Sequence, residues 1–227
     1  MKTAPTSRIG FRILRSALDM FRDRSGIAAT EFAVIVPLML MMFFGVVEFS
    51  SGVAVDRKVT LIARTVSDLT SQAQSSAPQA PYAAVTDSYM LNVFTAGLSI
   101  IRQYSGMPLK ATVSEIYVDS SGKATIQWSE AAIILSDTDT QATLTPSSHT
   151  QNEVVTTQVP PTLLVPKTYL IWSEVKYLYK PAIGYMMASA GVTLSDVAFT
   201  RPRLVVCLTY LTNSPLPALT NGKCPLT

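Results

Sequence analysis

The spacing of hydrophobic positions changes twice along this chain. From Gly26 to Phe49, in GIAATEFAVIVPLMLMMFFGVVEF, apolar residues run almost without interruption. Beyond it, Val55, Val59, Ile62, Val66 and Leu69 step by four and three, the seam of a helix with one apolar side. That seam suits packing on the chain's own domain or on a partner helix equally well. SQAQSSAPQAP breaks the pattern with polar residues and prolines. A second helix is predicted from about Tyr82 to Leu98, on the recurrence of Val85, Tyr89, Val93 and Ala96. After Pro108 the texture becomes strand-like: ATVSEIYVD and KATIQWSEA flank Ser120, Ser121 and Gly122, a hairpin signal. Residues 136–162, rich in Thr, Ser, Asp, Gln and Pro, read as a long loop open to motion. LIWSEVKYLYK and RLVVCLTYL complete the strands. The predicted fold is α+β, a long N-terminal helix followed by a small domain with an antiparallel sheet of three or four strands.

The first run carries a membrane signature. Ile27 to Val47 spans about 21 residues, roughly 31 Å as a helix, which matches the hydrocarbon core of a bilayer. A secretory signal has a much shorter apolar core. Before Gly26 stand Lys2, Arg8, Arg12, Arg15, Arg22 and Arg24 against Asp19 and Asp23, which keeps the N-terminus cytoplasmic and exports the remainder. The leader itself reads either as a basic amphipathic helix on the inner leaflet or as a disordered tail. Three segments follow: a leader (1–26), a transmembrane helix with an amphipathic extension (27–76) and an exported, periplasmic domain (77–227). Net charge is +3 with 15% charged residues, low for a soluble domain. The basic residues gather in the leader and not on the domain, which argues against nucleic acid as a partner.

Glu31 is the anomaly in the apolar run. A carboxylate in a membrane helix is costly, so it either reaches the headgroups, beside Arg24, or has a positive partner. SGIAATEFAV resembles the class III prepilin processing site, a glycine followed by four residues, then glutamate and an aromatic. That resemblance implies cleavage between Gly26 and Ile27 by a prepilin peptidase, with Glu31 and Phe32 completing the site. The new amine of Ile27 would lie one turn from Glu31, or face Glu31 of a neighbouring subunit, and the two charges would satisfy each other.

The longer stretch from Gly26 through VVEFSSGVAVDRKVTLIARTVSDLTSQA resembles the TadE/TadG family of pilus assembly proteins of the tight-adherence (Flp pilus) system. Its marks are the Glu31–Phe32 pair, Pro37 in the helix, the Gly45 and Glu48–Phe49 exit and the amphipathic continuation. ATVSEIYVDSSGKATIQWS, WSEVKYLYKPAIG and VTLSDVAFTRPR resemble the exported part of TadE-like members more loosely. The resemblance implies a minor pseudopilin in the bacterial inner membrane, contacting other pilins and pilus assembly proteins. Its N-terminal helix would form homo- or hetero-oligomers, and the protein would either join the extracellular pilus or prime its assembly from the base. An uncleaved, membrane-tethered scaffold or binding module of the envelope is the alternative, with Glu31 as an interfacial acid.

Other chemistry has little sequence support. Cys207 and Cys224, the two cysteines, lie beyond the membrane run. They suit a disulfide closing about 18 residues, worth on the order of 3 kcal/mol, or else two buried thiols. His149, the single histidine, reads as a solvated loop residue and not as a metal ligand. Asp137 and Asp139 read as a solvated acidic patch. No nucleophile elbow, phosphate loop or dinucleotide motif occurs, so neither a catalytic set nor a cofactor is expected.

Overall fold

The computed structural model describes residues 25–75, 82–101, 108–136, 138–181 and 191–211. The basic leader up to residue 24 and Cys224 lie outside them, as does the expectation of a leader helix. The chain divides into two compact units, Met1–Phe49 and Ser50–Thr227.

In the first unit the described residues belong to one helix, α1 (Ser25–Ser71), which contributes its later turns to the second unit. Pro37 lies inside it and supplies no amide proton to the helical ladder. Side chains from Ile27 to Phe49 are almost all open to their surroundings, Phe32 at 69%, Met41 at 73% and Phe49 at 75%. So much contiguous apolar surface is stable only against lipid or another protein.

The second unit is α+β. Its remaining elements are β1 (Tyr82–Thr86), α2 (Asp87–Leu98), β2 (Leu109–Val118), β3 (Ala124–Ile134), β4 (Thr143–Thr145), β5 (Thr168–Tyr179), β6 (Val192–Thr200) and β7 (Cys207–Leu211). Five strands form an antiparallel sheet in the order β4-β3-β2-β5-β6, and β1 and β7 form a separate parallel pair. The sheet is therefore larger than the three or four strands expected. The predicted helix from Tyr82 also starts late. Tyr82 to Val85 alternates exposed and buried, so it is a strand, and the hydroxyl of Thr86 accepts from Tyr89 N at 3.4 Å to start α2.

The sheet is covered on both faces. On one face, Val55, Val59, Ile62 and Val66 of α1 are fully buried with Phe94 and Leu98 of α2, Ala111 and Val113 of β2, and Leu208 of β7. The apolar seam of α1 thus serves its own domain. Hydroxyls fix it there: Ser173 Oγ donates to Ala63 O at 2.5 Å, and Ser67 shares a 2.7 Å hydrogen bond with Thr200. On the other face, Ile116, Val118, Ala124, Ile126, Leu170 and Trp172 make a second core with Val155 and Val159.

That second core overturns the reading of residues 136–162 as a free loop. The segment holds β4, bridges Val154 to Thr125 and buries Val155 and Val159. Its polar composition hid a few well-placed apolar residues that close over the sheet.

A register shift in the β2–β3 pairing divides the two cores. Glu115 pairs with Trp128 and Ile116 with Ile126, so Gln127 is an extra residue in β3. Side chains alternate along a strand, so one added residue reverses which face they take. Ala124 and Ile126 consequently join the second core, while Trp128, Ala132 and Ile134 join the first. The hairpin between these strands is closed by Asp119, whose Oδ1 accepts from Ser121 N at 2.8 Å and Lys123 N at 2.9 Å, with Gly122 at φ 81°.

α1 and α2 approach so closely that Gly97 cannot carry a side chain: an added methyl would collide with Val66 Cγ2. Gly97→Ala is expected to destabilise the domain by about 1–3 kcal/mol through overpacking, read as a lowered midpoint in chemical denaturation.

Candidate functional site

The processing-type motif occupies the first turns of α1. Gly26, Ile27, Glu31 and Phe32 are all helical and exposed. Residues 27 and 31 are four apart, so they share one face of the helix. Glu31 has no hydrogen-bond or ion-pair partner among the described residues. A Cβ placed on Gly26 would meet nothing within 4 Å. Its backbone is ordinary helix, so this chain's own fold gives no reason for glycine at that position.

Inside the domain, Glu115 is the dominant polar group and one the sequence reading passed over. It is 1% exposed. Oε1 accepts from Leu208 N at 2.6 Å, and Oε2 accepts from Trp128 Nε1 at 3.0 Å. Trp128 Nε1 also donates to Leu208 O at 3.0 Å, and its ring stacks on Tyr210 at 5.3 Å. Tyr210 in turn donates to Asp87 Oδ1 at 2.6 Å. This knot joins the five-stranded sheet to β7 and the start of α2. Burial pushes the Glu115 carboxyl up to about 8, against the opposing pull of the Leu208 and Trp128 hydrogen bonds. Burial likewise raises Glu130 to about 7, with Asp87 adding to the rise and the Tyr210 hydrogen bond opposing it. The available signal was parity: Glu115 follows Leu109, Ala111 and Val113 on the inward set of β2.

His149 is not a solvated loop residue. Its side chain is 12% exposed, Nε2 lies 2.6 Å from Glu174 Oε2, and Nδ1 lies 3.3 Å from Glu153 Oε2. The ring also rests 4.7 Å from Trp172, which stacks on Phe199. His149 thereby pins the polar segment to β5. Among the described residues no three His, Cys, Asp or Glu side chains are grouped so as to hold a metal ion. Asp139 ties a turn, accepting at Oδ2 from Ser136 N at 3.0 Å; Asp137 lies outside the described residues. Cys207 is buried at the start of β7, directly before the Leu208 that binds Glu115. Its predicted partner Cys224 lies outside the described residues.

The class defined by these features is an α+β protein with, among the described residues, one helix long and apolar enough to cross a membrane. An 18-residue window of that helix has a mean hydropathy of 2.3. Residues 26–68 match the family model described as TadE-like protein. The match runs from the processing-type glycine through the apolar seam of α1, and it supports involvement in tight-adherence pilus assembly as a membrane-associated component. No curated protein and no solved structure matches the chain.

Two expectations follow from the interior. Glu115 binds its proton more tightly in the folded chain than its ordinary value of 4.5 allows unfolded, so stability falls as pH rises from 4.5 to about 8. Glu115→Gln should reduce that slope in denaturation curves taken across the window, leaving the part below about 7 that Glu130 contributes. His149→Ala should cost about 1–3 kcal/mol, because Glu174 loses its half-buried partner. Limited proteolysis should then cut within residues 138–160 before the sheet.

Proposed function

We propose that this chain is a minor-pseudopilin-like component of tight-adherence (Flp) type IV pilus assembly, acting by subunit association and not by catalysis. In this reading the leader stays cytoplasmic, α1 spans the inner membrane from Ile27 and the α+β domain is periplasmic. Prepilin peptidase cuts between Gly26 and Ile27. The freed amine of Ile27 and the carboxylate of Glu31, on one helix face or on neighbouring subunits, neutralise each other where each alone would be costly. Helices then pack side by side with their axial register set by that pair. Cys207 pairs with Cys224 in the oxidising compartment and secures β7.

The observation that carries this reading is the state of α1 around residue 26. Glu31 stands on the exposed face of an apolar helix without a partner among the described residues, and Gly26 is a glycine the fold itself does not require. A peptidase that needs glycine before the cut, and an amine that needs a carboxylate after it, account for both.

The N-terminus and intact mass of the protein from its native membrane test it directly. The expected chain begins at Ile27, and its mass is lower by two hydrogens than the reduced form. A chain that keeps its leader in cells with active prepilin peptidase would overturn the processing and leave a tethered envelope scaffold. Glu31→Ala is expected to insert normally but to lower pilus number severalfold, counted by electron microscopy. Unchanged counts would remove the role assigned to the charge pair.

A further inference from the structure

The five-stranded sheet ends differently on its two sides. β4 is 3 residues long, whereas β6 runs for 9 and has no strand on its outer side among the described residues. A long open edge exposes main-chain donors and acceptors that another strand can use. On β6, the N–H of Val197 donates to Oδ1 of the preceding Asp196 at 2.8 Å. Val197 therefore turns its main chain away from β5, and alternation in an antiparallel pair gives Ser195 and Phe199 the same orientation. Val192 and Val197 are each 50% exposed.

A cleft of about 550 Å³ lies beside this edge, lined by Arg64, Asp68 and Leu69 of α1 and by Val197 to Thr200 of β6. Its charge is one-sided. Asp68 is already engaged by Arg203 and by Gln72 Nε2 at 2.7 Å. Arg64 is exposed and has no ion-pair partner among the described residues; the same holds for Arg201, one residue past β6.

We propose that β6 is a docking edge for an extended, acidic segment of a different polypeptide. That segment adds to the sheet as a further strand beside β6 and sets a carboxylate against Arg64 in the cleft. Main-chain hydrogen bonds supply binding, and the cleft and its cation supply selection. The incoming carbonyl takes the Val197 N–H from Asp196. A second copy of this chain does not suit the edge. Asp196 is the middle residue of β6, so the symmetric antiparallel pairing that overlaps β6 along its full length would bring two Asp196 carboxylates opposite one another. Asp196 thus disfavours full-length self-pairing while leaving the edge available to a strand of other composition. This holds whether or not Gly26–Ile27 is cut.

The test is photo-crosslinking from residue 197 in the full chain in its native membrane, with a control crosslinker at the exposed Lys123. Crosslinked residues are then mapped by mass spectrometry. The expected product joins residue 197 to an extended segment bearing Asp or Glu in another polypeptide. Arg64→Glu should reduce it about tenfold, and Lys at the mapped acidic residue should restore it. Ser195→Pro, which removes an outward N–H that β5 does not use, should reduce it as well. Arg64→Glu changes only an exposed side chain and keeps the test decisive should the proline variant misfold. Products to a second copy, no product above the Lys123 control, or product unaffected by Arg64→Glu would each overturn the proposal.

Discussion

A carboxyl group sealed in the interior must have both oxygens satisfied, and in this domain two distant strands together do so. Glu115 needs the amide of Leu208 and the indole of Trp128 together, and these come from β7 and β3. The requirement fixes where β7 lies over the sheet, and through β7 it fixes β1, which pairs with it in parallel. Thr86 at the end of β1 then sets the start of α2, and α2 supplies Phe94 and Leu98 to the core shared with α1. An apolar residue in place of Glu115 would avoid the desolvation penalty but would leave the Leu208 amide without its acceptor.

The two ends of α1 obey different constraints with similar residues. From Val55 onward the valines and isoleucines have a sheet to cover and are fully buried. Before Phe49 the apolar residues stand open among the described residues. The same change is visible in the sequence as a shift from an unbroken run to a stripe. The match to the TadE-like family model covers the part of the chain that includes this shift, residues 26–68. The sheet beyond it lies outside the match.

Local periodicity made α1, the β2–β3 hairpin and β5 legible. Each is long, and each repeats its own spacing. What stayed hidden depends on partners far away in sequence. Tyr82 to Thr86 is short and precedes a real helix, and its strand character comes from β7. His149 looks solvated until Glu174 and Trp172 of β5 are brought beside it. β6, in VTLSDVAFT, was legible only as a resemblance, because its polar and apolar residues do not divide cleanly between faces. The motif at Gly26, Ile27, Glu31 and Phe32 is a local sequence pattern, to which the structure adds that all four residues are helical and exposed. Glu115 shares the inward parity of Leu109, Ala111 and Val113, but its partners Leu208 and Trp128 come from other strands that parity does not name.

The parallel pairing of β1 with β7 also dictates an order of events. A chain emerges from the ribosome N-terminus first, and pairings between distant segments are the slowest to form. α1, α2 and the hairpin can all assemble early, but β1 has no strand partner until Cys207 to Leu211 has been delivered. Until then Glu115 keeps its hydration and the first core stays open on one side. The last of the described strands is therefore the latch of the domain, which stays unlatched until Cys207 to Leu211 has been synthesised.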